Sequence, residues 1–575
     1  MAEIEIENER IDDIPLLVGQ QEKMGIGQVV DEAIAGHGNR RGLSIGQTVM
    51  GWLAFIVSES DHRLSFVEPW AAQRLSTLRR LLGQEMSSKA FNDDRLGDVL
   101  RYLSDDASWE AIEKQLGQRL LRVYQLPLVQ LRLDTTSVAV YHEPEGTTLI
   151  RRGYSKDHRP DLAQLKVMLA GLDPLGLPLV TQVIPGNVAD DGLYVPAIEQ
   201  ARAVTQQRGL LYIGDQKMEA LATRAHLAAG GDYYLLPLRD RGKQAPLLAA
   251  LLQPVWDGVQ TLSDVYRDDP QSGEQTLIAQ GYETTRRPEA LYNGEMVRWV
   301  ERLLVLYSPS LAQRAYQSFE ERLQRAEEKL MALTPPPRRG KRQYEELASL
   351  QQAAQAVLRQ QQVVGLLQLD YERQVTQRQL RRYRDQPART EEKIRYQLHI
   401  TRDEAAIAAL YRSLGWRLYA TNAPAASLPL AQAVLAYRGA PNIERDFSRL
   451  KGRPLGLRPV YLQREDHLKG LVRLLSLALS LLTVTEFVAR RALLTVNESL
   501  TSLYPGNPKQ RTSRPTAERL LAAFKELTLT VVHLPGQVVV HITPLSPLQQ
   551  RILELLDLPS SIYADLAATA HPNPP

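Results

Sequence analysis

Two blocks of the sequence set an aspartate in or directly after a strand, and they constrain the fold more than any other feature. In "LRLDTTSVAVY" (131–141), apolar residues alternate on either side of Asp134, which is typical of a strand. In "LLYIGDQKMEA" (210–220), an apolar run ends at Gly214, so Asp215 is predicted at the carboxyl end of a second strand. Open α/β sheets place their functional sites at that edge. An α/β fold with carboxylates on its strands is therefore predicted.

A third block, "YRGAPNIERDFSRLKG", predicts a helix that carries a glutamate. Pro441 suits the first turn of this helix and Gly452 suits its end. Glu444, Phe447 and Lys451 follow one another at i, i+3 and i+7, which places them on one helix face. That face presents a carboxylate, an apolar packing residue and a cation.

Two strand carboxylates and one helix carboxylate suit a particular metal chemistry. Mg²⁺ and Mn²⁺ take oxygen ligands, and two such ions about 3.5–4 Å apart support in-line displacement at phosphorus. One ion activates the attacking oxygen and the other stabilises the leaving oxygen. Phosphodiester cleavage and transfer is therefore predicted, with Asp134, Asp215 and Glu444 as catalytic residues and metal ligands. Each acid taken alone is more often a solvated cap or a structural ion pair, so the prediction depends on the three together.

The spacing of the third block matches the signature Y-x2-R-x3-E-x6-K, with Tyr437, Glu444 and Lys451 in place. On these residues the chain resembles the DDE transposases of bacterial insertion sequences. The arginine position holds Ala440, and Arg438 lies close by. The resemblance runs from about residue 10 to about residue 555 and includes three further stretches, 153–191, 415–424 and 455–482.

The resemblance implies an RNase H-like catalytic core and a DNA substrate. The expected activity is binding of the element's terminal inverted repeats, cleavage at its ends, and joining of the 3′-hydroxyl to target DNA. It also implies two Mg²⁺ or Mn²⁺ ions, with Asp134 bridging both and Asp215 and Glu444 each holding one. A homodimer is expected in the paired-end complex. A nuclease without strand transfer, or a domesticated protein that binds DNA without cutting it, is the alternative.

Basic and aromatic residues near the three carboxylates are expected to contact DNA. Tyr437 and Lys451 are expected beside a phosphate near the cleaved bond, with Arg438 also on the DNA. The alternative is core packing for Tyr437 and a surface salt bridge for Lys451. Lys156 and Arg159 lie in a turn and are expected near phosphates.

Two further acidic stretches offer alternative ligands. In "GYSKDHRPDLAQ", His158 with two aspartates is a conceivable metal site, but histidine suits Mg²⁺ poorly and a structural turn is favoured. In "PGNVADD", Asp190 is expected to cap the following helix, with a role as ligand as the alternative.

The core is expected to begin near Leu128 and to follow the order βββαβαβ, the RNase H-like pattern. Its first three strands are predicted in "LVQLRLDTTSVAVYH", "TTLIRRGYS" and "LAQLKVMLAGLD". A helix at 193–208, the strand before Asp215, a helix from Glu219 and a strand at 232–238 complete the order. The sheet is expected to resume only at 416–421.

Five segments are predicted from these landmarks, since 575 residues exceed one compact core. The insertion is expected to hold strands and then a Gln- and Arg-rich arm of antiparallel helices, interrupted at three consecutive prolines (335–337). The segments are a helical DNA-end-binding or dimerisation domain (1–125), the first part of the core (126–238), the insertion (239–414), the second part of the core (415–495) and a small α+β appendage (496–575).

The charge of the chain is uneven along its length. The net charge is only +3, but residues 338–395 hold 13 Lys or Arg against 7 Asp or Glu, an excess of six. Arg381, Arg382 and Arg384 in this arm are therefore expected to contact DNA phosphates. A solvated helix face, or an arm that grips a second protomer, is the alternative.

Composition also bears on location. The chain has no Cys, which excludes disulfides and favours a reducing cytoplasm. Its first ten residues lack the basic and apolar regions of a signal peptide. Only 12 uncharged residues separate Arg473 from Glu486, which predicts a buried helix and no membrane span.

Overall fold

The computed structural model describes residues 5–34, 42–141, 146–239, 245–268, 273–336, 343–380, 389–534 and 537–568. It is a mixed α/β protein, as predicted. The helices are α1 (Ile14–Met24), α2 (Ile26–Ala33), α3 (Ile45–Glu59), α4 (Leu64–Ala72), α5 (Leu75–Leu82), α6 (Asp93–Ser104), α7 (Asp106–Val123), α8 (Tyr194–Thr205), α9 (Leu221–Ala229), α10 (Ala245–Trp256), α11 (Pro309–Met331), α12 (Leu347–Gln361), α13 (Glu404–Ser413), α14 (Leu430–Tyr437), α15 (Pro441–Lys451), α16 (Glu465–Val496), α17 (Ala517–Ala522), α18 (Pro547–Leu555) and α19 (Ser561–Ala568).

The strands form one large sheet and three small ones. They are β1 (Glu5–Arg10), β2 (Gln130–Val140), β3 (Ala163–Asp173), β4 (Leu177–Pro185), β5 (Leu211–Ile213), β6 (Tyr233–Leu238), β7 (Ser263–Asp268), β8 (Gln275–Arg286), β9 (Glu289–Tyr292), β10 (Glu295–Arg298), β11 (Glu301–Tyr307), β12 (Leu367–Leu380), β13 (Arg389–Arg402), β14 (Trp416–Thr421), β15 (Thr528–Leu534) and β16 (Gln537–Ile542).

The large sheet has nine strands in the order β4-β3-β2-β5-β6-β14-β11-β8-β7. β2, β5 and β6 are parallel neighbours, and every other pair is antiparallel. Side chains alternate between two hydrophobic clusters along these strands, so that Leu211 and Ile213 pack on one side and Tyr212 on the other. The sheet is therefore buried on both faces around the strands that carry the two aspartates.

The predicted order of core elements is present, but one strand was assigned wrongly. The observed succession is β2, β3, β4, α8, β5, α9 and β6. The block "TTLIRRGYS" forms only an isolated bridge at Arg151, because side chains bond its amides: Glu465 accepts from Leu149 N and Thr147 accepts from Ile150 N. β3, the segment predicted as the third strand, takes the second place, and β4 takes the third.

The prediction that the sheet resumes only at 416–421 is wrong. The alternating segments at β8 and β11 are strands, but β11 pairs directly with β14, and β8 pairs with β11. These strands of the predicted insertion thus extend the core sheet. Backbone hydrogen bonding between segments far apart in sequence was not visible in the local pattern.

The arm predicted to be all helix is only partly helical. α11 and α12 are helices, but β12 and β13 form an antiparallel hairpin of 14 residue pairs. Their apolar residues, such as Leu367, Leu369 and Leu398, recur every second position and pack in one cluster with α11 and α12. This period of two is a strand signal that the Gln- and Arg-rich composition concealed. Arg381, Arg382 and Arg384 lie outside the described residues.

The two ends of the described chain meet in one sheet. The N-terminal segment is mostly helical, as predicted, and Ser44 and Gln47 form a capping box at the start of α3. Its first element, however, is β1, which pairs antiparallel with β15. β1 is therefore the third strand of the sheet that β15 and β16 form within the predicted α+β appendage.

α16 is the buried helix that the sequence predicted. By length and composition it could cross a membrane, but 94% of its most apolar 18-residue window is buried inside the protein. α6 packs closely on α16, and a Cβ added at Gly470 would lie 2.0 Å from the carbonyl oxygen of Leu100. The packing of the two helices thus requires glycine at position 470.

We expect Gly470→Ala to destabilise the protein by about 3 kcal/mol or more, because the new methyl group meets backbone that cannot move aside. Urea denaturation followed by circular dichroism measures the change in stability. Gly192→Ala is the matched control, since a Cβ there meets no described atom within 4 Å. Equal stability of the two variants would contradict the close approach of α16 and α6.

Candidate active site

Asp134 lies near the middle of β2, opposite Leu169 of β3. Its Oδ1 accepts a hydrogen bond from the amide of Thr135 at 2.7 Å. Burial raises the pKa of Asp134; the ammonium of Lys156 opposes that rise and the charge of Asp215 adds to it. The two aspartates therefore interact electrostatically across the sheet.

Asp215 follows β5, the strand parallel to β2. The last registered pair of the two strands is Arg132 with Ile213, and each aspartate lies two residues beyond it. Asp215 Oδ1 accepts hydrogen bonds from the hydroxyl of Tyr194 (2.5 Å) and from the amide of Lys217 (2.8 Å). Burial, followed by the charge of Asp215, raises the pKa of Tyr194 well above its ordinary value. Tyr194 therefore remains a hydrogen-bond donor and fixes the carboxylate of Asp215.

Glu444 is in the first turn of α15 and is exposed. Within the described ranges its carboxylate has no hydrogen-bond or ion-pair partner. α15 packs against β2, and Lys451, on the Glu444 face, donates to the carbonyl oxygen of Ser137 in β2 at 3.2 Å. The helix thus turns the face with Glu444 and Lys451 toward the strand that carries Asp134.

The three predicted carboxylates are not assembled into one cluster. In the described part of the chain, no group of three or more His, Cys, Asp or Glu side chains is close enough to hold a metal ion. The donor set nevertheless fits a hard divalent cation. The hydrogen bonds to Asp134 and Asp215 all fall on Oδ1, so that among described residues Oδ2 of each has no hydrogen-bond donor. One oxygen of each aspartate, and the whole carboxylate of Glu444, can therefore serve as ligands.

Asp190 has a different environment from the one predicted. It makes no capping bond to α8, whose N-cap residue is Leu193. It is buried and accepts from Lys166 Nζ at 2.6 Å, while Lys156 Nζ lies 3.6 Å from its other oxygen. Lysines occupy both oxygens of Asp190, which makes it a poor candidate for a metal ligand.

Lys156 connects Asp134 with Asp190, and Lys166 binds Asp190. Lys156 Nζ donates to the carbonyl and hydroxyl oxygens of Thr135, both at 2.6 Å, and lies 3.4 Å from Asp134 Oδ1. The role of Lys166 was missed by sequence reasoning. The sequence does contain a signal for this role, because Lys166 is the one cation in "AQLKVMLAGLD". In the structure this segment is a strand in which every residue is buried. A buried cation of this kind requires a buried anion.

The turn at 155–161 is held by ion pairs. Asp157 binds Lys451 at 3.0 Å and Arg458 at 2.8 Å. Arg159 pairs with Asp161 at 2.7 Å, and both side chains are exposed. Cations bind both carboxylate oxygens of Asp157, which leaves neither for a metal site with His158. This agrees with the structural turn that the sequence favours.

Tyr437 and Arg438 line a cavity of about 390 Å³. Tyr437 also lies close enough to Asp215 and Asp134 to feel their charges. Tyr437 packs edge-on against Tyr419, with ring centroids 4.6 Å apart, and burial raises its pKa. Arg438 donates to the hydroxyl of Ser308 at 2.9 Å. Four arginines and no Asp or Glu are found among the described lining residues; the arginines are Arg267, Arg314, Arg417 and Arg438.

Comparisons with known proteins give one broad family match. The model of the transposase DDE domain matches residues 130–481, and that of a domain of unknown function, DUF4277, matches residues 6–113. None of the curated proteins matches the chain. One similar solved structure is described as a piggyBac transposase synaptic complex with hairpin DNA, at 10% identity and a TM-score of 0.23, covering 49% of this chain and 60% of that one. A likeness this slight supports no inference.

We expect Lys166→Met to destabilise the protein by about 3 kcal/mol, since it leaves the buried carboxylate of Asp190 without its closest cation. Urea denaturation at neutral pH measures the change. Arg159→Ala, which breaks an exposed pair, is the control and should leave stability unchanged. A Lys166→Met protein as stable as wild type would show that the pair is not a structural requirement of the site.

Proposed function

The chain belongs to the family of DDE transposases, and we propose that it is the transposase of an insertion sequence, binding terminal inverted repeats and cutting at the element's ends. It then joins the free 3′-hydroxyl to target DNA. The observation that carries this proposal is the placement of Asp134 and Asp215, each two residues beyond the last registered pair of the parallel strands β2 and β5. Glu444, unpaired among the described residues, lies on a helix packed against β2. The three acids fall within the residues matched by the family.

An RNase H-like core is part of the proposal. Support comes from the strand order β4-β3-β2-β5-β6, in which the first three strands are antiparallel and the next two are parallel to β2. The two aspartates lie on or after the central strands of that order. The fold thereby brings together residues that are 81 positions apart, from 134 to 215.

Asp134, Asp215 and Glu444 are the residues that would hold Mg²⁺ or Mn²⁺. Bound there, two such ions supply activation of the attacking oxygen and stabilisation of the leaving oxygen. The chain's own contribution is to orient the ligands. Tyr194 and the amide of Lys217 hold one oxygen of Asp215, and the amide of Thr135 holds one oxygen of Asp134.

The arginine-lined cavity beside Asp215 supports a DNA substrate. Burial lowers the pKa of Arg438, and the nearby charges of Arg267 and Arg314 add to the effect. Guanidinium groups that repel one another in this way favour a phosphate between them. We assign Tyr437 and Arg438 to the DNA strand near the cleaved bond. Lys451, Lys156 and Arg159 belong to the same proposed surface.

The remaining segments have proposed roles as well. Residues 1–125 are assigned to DNA-end binding or dimerisation, and the arm of the insertion (239–414) to DNA or the second protomer of a homodimer. Residues 126–238 and 415–495 form the proposed catalytic core, which would act in the bacterial cytoplasm on nucleoid DNA. The β1–β15 and β11–β14 pairings join these segments physically, so point substitutions test their roles more cleanly than truncations.

Substitution of the three acids should separate DNA binding from catalysis. We expect Asp134→Asn, Asp215→Asn and Glu444→Gln each to reduce cleavage by several orders of magnitude, because each removes a ligand charge while keeping side-chain shape. DNA binding should persist. Without metal, Asp134→Asn and Asp215→Asn should melt at or above the wild-type temperature, since the two like charges repel, and Glu444→Gln should melt at the wild-type temperature. In all three variants the rise caused by Mn²⁺ should disappear.

The assay is nicking and joining of end-containing DNA in Mn²⁺, beside a gel shift on the same DNA. Asp161→Asn is the control, because Asp161 is an exposed acid paired with Arg159 in the nearby turn. Cleavage at the wild-type rate by a variant at position 134, 215 or 444 would remove that residue from the ligand set. Cleavage by the wild type without joined products would favour a nuclease.

A second prediction concerns three arginines in the basic stretch 338–395. Replacing Arg381, Arg382 and Arg384 with Ala should weaken binding to all DNA sequences alike. The log-log salt slope should flatten by about 0.9 for each DNA phosphate that these arginines no longer neutralise. Binding titrations across several salt concentrations measure the slope. Arg325→Ala, on the exposed surface of α11, is the control. An unchanged slope in the triple variant would assign the arm to the interface between protomers.

A further inference from the structure

A second cavity, of about 240 Å³, lies on the side of α15 opposite Glu444 and Lys451. It is bounded by α15, α16 and the turn that follows β3. Its lining combines three arginines (Arg445, Arg490 and Arg514) and two acids (Asp173 and Glu486) with the hydroxyl of Thr483 and apolar side chains that include Phe487. We call it the back cavity.

Positive charge is in excess around the back cavity. Glu486 accepts from Arg445 at 3.0 Å, Arg449 at 2.5 Å and Arg490 at 2.6 Å. Arg449 also pairs with Glu518 at 2.8 Å. With Arg514, four guanidinium groups therefore surround two paired glutamates.

The other acids nearby do not remove this excess. Asp173 is neutralised by Arg132 at 2.9 Å. Asp446 is buried near Arg445, and even when fully ionised it leaves four guanidinium groups against three carboxylates. Burial lowers the pKa of Arg490, and the charges of Arg445 and Arg514 lower it further, although Glu486 raises it. The arginines thus repel one another around an open space.

Two buried donors at the cavity also have no acceptor. Thr483 is 2% exposed and its hydroxyl has no hydrogen-bond partner within the described structure. Nε of Arg445 is likewise buried and unpartnered among the described residues. Buried polar groups are nearly always paired, because leaving one unpaired is unfavourable. An anionic acceptor in the cavity would satisfy both.

We propose that the back cavity binds a phosphate group, held by Arg445, Arg490 and Arg514 and by the hydroxyl of Thr483. A phosphate supplies several strong acceptor oxygens and suits the forked geometry of arginine. Phe487 and the apolar residues beside it would cover the carbon part of a phosphate ester. The three proposed metal ligands take no part in this binding.

The phosphate is either a free anion or part of a DNA backbone. Arg514 is exposed at the mouth and follows Lys509 and Arg511 in one basic segment, which provides a path for DNA. In both cases the bound group would connect Arg445 of α15 with Arg490 of α16. It would thereby fix the helix that carries Glu444. Only the DNA source rests on the proposed function.

The test compares full-length wild type, Arg514→Ala, Thr483→Val and the control Arg511→Ala, which changes the same basic segment but not the cavity lining. Melting temperatures are measured with inorganic phosphate against chloride at equal ionic strength, and again with a short duplex lacking element ends. We expect Arg514→Ala to bind about tenfold more weakly, because one charge-assisted hydrogen bond is removed. With inorganic phosphate, Arg511→Ala should match wild type, and with the duplex it measures what the basic segment contributes apart from the cavity.

Thr483→Val distinguishes a binding role from a structural one. Its hydroxyl has no partner within the described structure, so the substitution should keep or raise the melting temperature without ligand. It should nevertheless reduce the ligand-induced rise. If the two cavity variants lose the rise in melting temperature with inorganic phosphate, the ligand is a free anion. If they lose it only with the duplex, the ligand is a DNA phosphate. If Arg514→Ala and Thr483→Val respond to both ligands as Arg511→Ala does, the proposal is overturned, whether or not the protein cleaves DNA.

Discussion

The parallel pairing of β2 with β5 spans only three residue pairs, from Gln130–Leu211 to Arg132–Ile213, and the placement of both aspartates depends on it. A slip of one residue would turn one aspartate to the other face of the sheet, since side chains alternate. Contacts outside these three pairs fix the register of β2 and β5. β3 holds β2 over 11 pairs, and Asp232, itself bound by Arg202 at 2.7 Å, accepts from the amide of Leu210. A buried ion pair on the far side of β5 thus helps to set the site.

The site also divides its carboxylates by what neutralises them. Asp190 is bound by lysines on both oxygens, whereas Asp134 and Asp215 are each held by one oxygen and Glu444 is unpaired among the described residues. Asp190, bound by the two lysines, stabilises the fold around β3. The other three retain oxygen atoms for a cation. This division follows from which strand positions carry lysine: Lys166 is buried within β3, and Lys156 reaches β2 from the neighbouring turn.

Sequence patterns predicted the elements that carry the acids, because each lies in a segment with clear local periodicity. The strand around Asp134, the strand end before Asp215 and the helix with Glu444 are all observed. The block "TTLIRRGYS" was wrongly predicted as a strand, because side-chain bonds such as that from Glu465 outweigh its local pattern. The strand pair β12 and β13 was missed because its polar composition concealed the period of two. The Lys166–Asp190 pair and the back cavity depend on contacts between distant segments, which no local pattern encodes.

The pairing of β1 with β15 has a consequence for how the protein is made. Glu5 lies opposite His533, so that the first described strand to leave the ribosome has its partner among the last. Closing so long a loop is slow relative to local structure, and β1 must wait with open backbone groups until β15 has been synthesised. During that interval it is an unpaired sheet edge, the kind of surface that other chains can join. A prematurely terminated polypeptide would keep this edge exposed for its lifetime, which makes it a substrate for proteolysis rather than a functional fragment.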